Sequence, residues 1–238
     1  MKDRLRPVRY DHDRACSTLN ASDRKLGQLM ERAGPFTLQL KHTDSPFEAL
    51  LESIIHQQLH GRAAKTIHDR VLALFQGDPP TPEILLQLPE ERLRAAGLSA
   101  NKLAALRDLA EKTNAGIVPP MSKLQRMPDE DILAHLTQVR GIGVWTVEML
   151  LIFRLGRPNV LPTNDYGVRK GFALTFGKLR PGMRVETKDL PDAETMRRRA
   201  LRWQPWCSVA SWYLWRACDL ATLTETTKPT TALKQRKK

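Results

Sequence analysis

The sequence predicts an all-α fold, because helix signals recur along its 238 residues while strand signals are rare. Apolar residues return at helical spacing in two stretches, Leu103 to Ala110 and Val147 to Leu155. A capping residue followed by proline, the usual start of a helix, occurs at Ser45-Pro46 and at Thr81-Pro82. We expect about ten short helices.

The remaining helix boundaries follow in chain order. Ser99 starts a predicted helix that runs through Ala115 and ends at Gly116. Further helices are predicted to open at Pro128, at Asn164 or Asp165, and at Pro191. Residues 1–220 are predicted to form the all-α domain. Residues 221–238 lack apolar periodicity and are predicted to be a disordered basic tail.

The most informative segment is LTQVRGIGVWTVEML, from Leu136 to Leu150. Its two glycines let the backbone turn tightly between two helical patterns, which predicts a helix-hairpin-helix at about 132–155. Backbone N–H groups of such a hairpin, ending at a helix N-terminus, bind anions such as a DNA phosphate. The predicted phosphate-binding residues are Arg140, Gly141, Ile142 and Gly143. A purely structural turn is the alternative.

Composition is consistent with a polyanionic partner. The chain carries 38 Lys and Arg against 26 Asp and Glu, a formal net charge of +12. Charge alone leaves membrane surfaces and acidic proteins open as partners. No apolar stretch approaches the roughly 20 residues that span a bilayer, and the first residues lack the apolar core of a signal peptide. We expect a soluble intracellular protein, in bacterial cytoplasm or nucleoid or in a eukaryotic nucleus.

Five segments together resemble the helix-hairpin-helix DNA glycosylases, in particular the DNA-3-methyladenine glycosylase II type. In the family's order they are IIHQQLHGRAAKTI, LRAAGLSANKLAALRDLA, GIGVWTVEMLLIF, LPTNDYGVRKGF and WCSVASWYLWRA. The resemblance implies a two-lobed helical fold with the active-site cleft between the lobes. It also implies a monomeric, monofunctional enzyme of base excision repair, which flips alkylated purines out of double-stranded DNA and hydrolyses their N-glycosidic bond, leaving an abasic site.

The resemblance implies that Asp165 is the catalytic residue. A carboxylate beside C1′ stabilises the positive charge that builds on the sugar and orients the attacking water. Asn164 stands where the family has a first acidic residue. A helix-capping role is the alternative for Asp165, and the two roles are compatible. Glu148, on the helix after the hairpin, is the rival carboxylate.

The resemblance implies that Trp145 and Trp215 lie in the base pocket, where an indole face would attract a cationic alkylated purine. Tyr166, next to Asp165, and Met149 are also expected there, and core packing is the alternative for the tryptophans. Trp145 also stands where lyase-competent relatives place a Schiff-base lysine, and an indole supplies no nucleophilic amine. For the other tryptophans we expect core packing: Trp203, Trp206 and Trp212.

The resemblance implies that a wedge from Gln58, Leu59 or His60 fills the place of the flipped base. His56 and His60 are four residues apart, as zinc ligands on a helix can be, but no third ligand is evident and zinc is not expected. The resemblance implies that no cofactor is required. The resemblance implies a monovalent cation, Na⁺ or K⁺, on the backbone carbonyls of Thr137, Val139 and Ile142.

The three cysteines, Cys16, Cys207 and Cys218, are widely separated, which argues against a disulfide framework and against a four-cysteine iron–sulfur cluster. Two other functions stay open. One is a noncatalytic DNA-lesion-binding protein, for which Asn164 is the hint. The other is a glycosylase of the same fold for oxidised or deaminated bases, with lyase activity, against which Trp145 argues.

Overall fold

The computed structural model describes residues 5–42, 45–59, 61–177 and 179–226. Within these residues the predicted all-α fold is confirmed, since the strands are short: β1 (Leu5–Pro7) pairs with β2 (Gln39–Lys41). The α-helices are α1 (His12–Ser22), α2 (Arg24–Ala33), α3 (Pro46–His56), α4 (Gly61–Ala73), α5 (Pro82–Gln87), α6 (Glu90–Ala95), α7 (Ala100–Asn114), α8 (Met121–Leu124), α9 (Asp129–Leu136), α10 (Val144–Leu150), α11 (Tyr166–Phe176), α12 (Ala193–Ala200) and α13 (Cys207–Thr226).

The described residues thus hold more helices than the ten or so predicted. The additional ones are short, such as α8 with four residues, and a single helical turn carries no apolar period to read in a sequence. No helix among the described residues is long and apolar enough to cross a membrane.

The chain divides into two compact units. Of the described residues, those within 1–6 and 39–156 form the first unit, which contains α3 to α10. Those within 7–38 and 157–226 form the second, which contains α1, α2 and α11 to α13, so it is built from two separate stretches of the chain. The expected cleft between two lobes stays a prediction.

The first unit is organised around α7, which packs against α3 and α5. As its periodicity predicted, α7 buries Leu103, Leu106 and Leu109, and removing these side chains from water favours folding. The predicted start is also confirmed, because Ser99 Oγ accepts the Lys102 N–H. Ser45 caps α3 and Thr81 caps α5 in the same way, each accepting the N–H three residues on.

The second unit is organised around α13, which packs along α11 and α2. At Gly171 the two helices approach closely: a Cβ there would lie 1.9 Å from the Leu214 carbonyl oxygen. Of the tryptophans expected in the core, Trp203 and Trp212 are buried. Trp206 is half-buried and places its ring 5.8 Å from that of Tyr10.

Arg197, Arg198 and Arg199 lie together on α12, where a charged helix face exposed to solvent would be the usual arrangement. Arg199 instead binds a buried carboxylate. Arg199 donates two hydrogen bonds, of 2.7 and 2.8 Å, to the buried carboxylate of Asp23, which also accepts the Trp203 indole N–H at 3.0 Å. Burial works to raise the Asp23 pKa, but the hydrogen bonds and charge of Arg199 outweigh it and lower the pKa. This ion pair joins α12 to the start of α2.

Helix α13 continues past the predicted domain boundary at residue 220, as far as Thr226. In this last part of the helix Ala221 is buried, one turn after the buried Ala217, and the Thr222 hydroxyl donates to the Cys218 carbonyl. The rest of the predicted tail, residues 227–238, lies outside the described residues.

Candidate active site

Asp165 is the N-cap of α11, so the predicted capping role is confirmed. Its Oδ1 accepts two hydrogen bonds, each of 2.8 Å, from the Val168 backbone N–H and from the Trp215 indole N–H. Two donors on one oxygen, from two different helices, fix the orientation of the carboxylate. Trp215, predicted as a pocket wall, therefore also holds Asp165 in place.

Glycine at position 167 makes this contact possible. A Cβ on Gly167 would lie 2.7 Å from Trp215 Cδ1 and 3.2 Å from Asp165 Oδ1, both tighter than ordinary packing allows. Cys218 Sγ donates to the Gly167 carbonyl at 3.3 Å. Gly167 and Gly171, one turn apart, thus let α13 lie near enough to α11 for the indole to reach the carboxylate.

The predicted helix-hairpin-helix is present, formed by α9, the turn 137–143 and α10, with α10 extended by a π-helical turn at Leu151–Leu155. Gly141 has a φ of +78°, which glycine adopts without strain. The turn closes with a 3.0 Å bond from the Ile142 N–H to the Val139 carbonyl, and both of these side chains are buried. The hairpin is thus anchored by apolar side chains while its glycines are exposed.

The four hairpin residues expected to meet phosphate are not equivalent. The N–H groups of Arg140 and Ile142 already donate within the protein, to Asp108 and to the Val139 carbonyl. Among the described residues, the Gly141 and Gly143 N–H groups have no such acceptor. These two amides are the better candidates for an outside anion.

A cavity of about 590 Å³ lies within the first unit. Two of the predicted pocket residues, Trp145 and Met149, line it together with Phe153. Trp145 is 45% exposed, so part of its indole is accessible from solvent. Tyr166, 58% exposed, follows Asp165 in the second unit.

One wall of this cavity is charged, which the sequence did not predict. Glu52 forms ion pairs with Lys41, at 3.1 Å, and with Arg154, and all three line the cavity. Burial works to raise the Glu52 pKa, but the charges of Arg154 and Lys41 outweigh it and lower the pKa. The residues are far apart in the chain, so no local pattern could have revealed them.

The predicted wedge lies in the turn between α3 and α4. Gln58 is exposed with a φ of +57°, unusual for a residue other than glycine, and Leu59 is 37% exposed. His60 lies outside the described residues. His56 places its ring 5.7 Å from that of His68, and the part of the chain that is described holds no His, Cys, Asp or Glu cluster suited to a metal ion.

Thr137, Val139 and Ile142, the predicted carbonyl ligands, all lie in or beside the hairpin turn, and Val139 contributes its carbonyl to the turn bond. The rival carboxylate, Glu148, is partly buried on α10 in the first unit, whereas Asp165 belongs to the second. The assignment of roles to these residues stays a prediction.

Comparisons with known proteins agree on one family. The model described as HhH-GPD superfamily base excision DNA repair protein matches residues 51–187. DNA-3-methyladenine glycosylase 1 of Schizosaccharomyces pombe is 36% identical over 185 residues, which are 77% of either chain. This chain belongs to the HhH-GPD superfamily.

Solved structures of the superfamily agree with the fold. The Schizosaccharomyces pombe 3-methyladenine DNA glycosylase in complex with abasic DNA matches with a TM-score of 0.72 at 32% identity, over 85% of this chain and 95% of that one. DNA-3-methyladenine glycosidase from Bacillus halodurans matches with a TM-score of 0.76 at 31% identity, over 93% and 94%. The predicted membership of the 3-methyladenine glycosylase type of this superfamily is confirmed.

The HhH-GPD match covers the hairpin and Asp165 but ends before α13, which carries Trp215. The residue that holds Asp165 therefore lies outside the segment that defines the superfamily. Sequence reasoning named Trp215 through the wider resemblance, but not its bond to the carboxylate.

Proposed function

We propose that this protein is a monofunctional DNA glycosylase that hydrolyses the N-glycosidic bond of alkylated purines, such as 3-methyladenine and 7-methylguanine. The names of its relatives support the lesion class, and the relative solved with abasic DNA supports double-stranded DNA as the partner. The net charge of +12 favours the same polyanion. We propose that it acts as a monomer.

The observation that carries this proposal is the fixed carboxylate of Asp165. When the bond between C1′ and the base nitrogen breaks, its electron pair leaves with the base and positive charge builds on the sugar. Asp165, held by Val168 and Trp215, stabilises that charge and orients the water, whose oxygen adds to C1′ and whose proton passes to the carboxylate. The role needs an oriented carboxylate, which these two donors provide.

The cavity of the first unit supports a site for the flipped base. Trp145 and Met149 offer an apolar and polarisable surface, and the indole attracts a cationic purine by about 0.5 to 2 kcal/mol. Because Trp145 has no amine, no Schiff base forms there, and water is the nucleophile. A cationic base is a good leaving group, so modest electrostatic help from Asp165 suffices.

The hairpin and the wedge would hold the DNA. Gly141 and Gly143 offer backbone N–H groups to a phosphate, and Gln58 or Leu59 enters the duplex where the base has left. The carbonyl oxygens of Thr137, Val139 and Ile142 suit an alkali-metal ion, since such oxygens replace the ion's hydration shell. When bound, the ion would add positive charge beside the phosphate.

Release of methylated bases tests the function. Duplex DNA treated with dimethyl sulfate is incubated with the wild type and with Asp165→Asn, and free 3-methyladenine and 7-methylguanine are quantified by chromatography. Because asparagine also caps helices, the change removes the negative charge of the carboxylate and keeps the helix cap. We expect the variant to lose at least about 100-fold in rate.

Asp192→Asn is the matched control. Asp192 caps α12 in the same unit by accepting the Thr195 N–H at 2.7 Å, so its replacement should leave base release unchanged. Full activity in Asp165→Asn contradicts the mechanism. Binding of abasic DNA without any base release would favour the noncatalytic lesion binder, and a covalent adduct trapped by borohydride would favour a lyase.

A further inference from the structure

An ion pair on α7 forms hydrogen bonds with the backbone of the hairpin. Asp108 Oδ2 accepts the Arg140 N–H at 2.6 Å and the Lys112 ammonium at 2.8 Å. The same ammonium donates to the Gln138 carbonyl at 2.5 Å. We call Asp108 and Lys112 the hairpin clamp. The clamp engages the backbone and not the side chains of the hairpin, so it acts on its conformation.

The clamp belongs to a continuous contact between α7 and the hairpin. Ala105, Asp108 and Lys112 are spaced three and four residues apart, so they lie on one face of α7. On that face a Cβ at Gly141 would lie 3.3 Å from Ala105 Cβ. From the end of α3, the Gln57 amide donates to the Gly141 carbonyl at 2.8 Å. Close packing and hydrogen bonds therefore fix the same few residues.

Charge alone does not explain an aspartate at this position. Burial works to raise the Asp108 pKa, but the Arg140 N–H and Lys112 outweigh it and lower the pKa, so the carboxylate is ionised at neutral pH. A negative charge beside a phosphate-binding hairpin opposes DNA binding. We therefore expect the hydrogen bonds of Asp108 to raise the affinity for DNA by more than its negative charge lowers it.

We propose that Asp108 is a positioning residue for DNA binding. By accepting the Arg140 N–H, it holds the turn so that the Gly141 and Gly143 N–H groups face an incoming phosphate. This inference rests on the proposed function only in that the hairpin meets DNA. It requires no particular lesion and no chemical step.

Two variants of Asp108 separate the hydrogen bond from the charge. Asp108→Ala and Asp108→Asn remove the same negative charge, but asparagine keeps an oxygen that can accept the Arg140 N–H. Affinity is measured by fluorescence anisotropy on a duplex that contains a tetrahydrofuran abasic-site analogue. We expect Asp108→Ala to bind about tenfold more weakly, or ~1.4 kcal/mol, and Asp108→Asn to stay within about twofold of the wild type.

Glu111→Ala is the charge control. Glu111 is exposed on the same helix, and among the described residues its side chain makes no hydrogen bond or ion pair with the hairpin, so its removal should tighten binding slightly. Lys112 is a poor choice for the test, because losing a cation weakens DNA binding whether or not it holds the hairpin. Thermal unfolding of each variant shows whether it is folded at the assay temperature.

Equal affinities of Asp108→Ala and Asp108→Asn, whether tighter or weaker than the wild type, would overturn the inference. A second readout is single-turnover base release, where Asp108→Ala should raise the half-saturating enzyme concentration and leave the maximal rate nearly unchanged. If the wild type released no methylated base, the proposed function would fail, but the affinity difference between the two variants would still decide the role of Asp108.

Discussion

The hairpin and the aspartate cap of α11 are held in opposite ways. In the hairpin, side chains hold a backbone: Asp108 and Lys112 bind the main-chain groups of Arg140 and Gln138. At Asp165, a backbone N–H and an indole hold a side chain. A site that presents amides needs its loop fixed, whereas a site that presents a carboxylate needs its supporting helices close together.

The close approach of α11 and α13, which brings Trp215 to Asp165, can be disrupted by a substitution at Gly171. A Cβ there would lie 1.9 Å from the Leu214 carbonyl oxygen, and backbone atoms cannot move aside cheaply. We expect Gly171→Ala to lower the free energy of unfolding by about 3 kcal/mol or more, measured by urea denaturation. Gly61→Ala is the control, since nothing lies within 4 Å of a Cβ there, and it should stay within about 1 kcal/mol.

Orientation of the carboxylate can be separated from proximity by Trp215→Phe. Phenylalanine keeps the aromatic bulk but loses the N–H that Asp165 accepts. A hydrogen bond to a charged group contributes about 1.5 to 3 kcal/mol, so we expect the single-turnover rate to fall roughly 10- to 100-fold. Trp206→Phe is the matched control and should keep the full rate. Weaker DNA binding at an unchanged rate would speak against an orienting role.

The backbone conformation of the hairpin can be tested at Gly141. Alanine at a φ of +78° costs about 1 to 2 kcal/mol and brings Cβ to 3.3 Å from Ala105. Gly116→Ala, at a φ of +74° with open space around it, has the same backbone cost away from the hairpin. We expect both to lose similar stability but only Gly141→Ala to lose affinity for DNA. Equal affinities would contradict a DNA-binding role for the hairpin.

The smallest predicted effect is that of low pH on the free energy of unfolding. The lowered pKa of Asp108 means that its bonds stabilise the fold above the unfolded pKa of about 3.9, and that this contribution is lost as pH falls through the folded value. We expect wild type and Asp108→Asn to differ in unfolding free energy by under about 1 kcal/mol at pH 5 to 7. The two should converge as pH falls through the lowered folded pKa of Asp108. A constant difference across this range would contradict the assignment.

Local chemistry made part of this molecule predictable. Ser45, Thr81 and Ser99 start their helices as expected, because capping depends on residues three positions apart. The hairpin followed from two glycines between helical patterns. Asp165 followed from the family resemblance, and its capping role was predicted because aspartate at a helix start is a common N-cap.

Long-range polar pairs were not predictable in this way. Asp23 and Arg199 lie more than a hundred residues apart, as do Glu52 and Arg154. A single charged residue belongs to no repeating sequence pattern from which its partner could be predicted. The same applies to Asp108, which from its sequence is only an acid on a helix. Such pairs become visible only once the elements that carry them are packed.

The division of the chain has a consequence for its synthesis. Helices α1 and α2 leave the ribosome before residues 39–156, and α11 and α13, which pack against them, follow only after that stretch. The first unit, nearly continuous in sequence, has all of its main elements available before then. Until α13 emerges, the buried faces of α1 and α2 lack their native cover, and transiently exposed apolar surface of this kind is what chaperones protect.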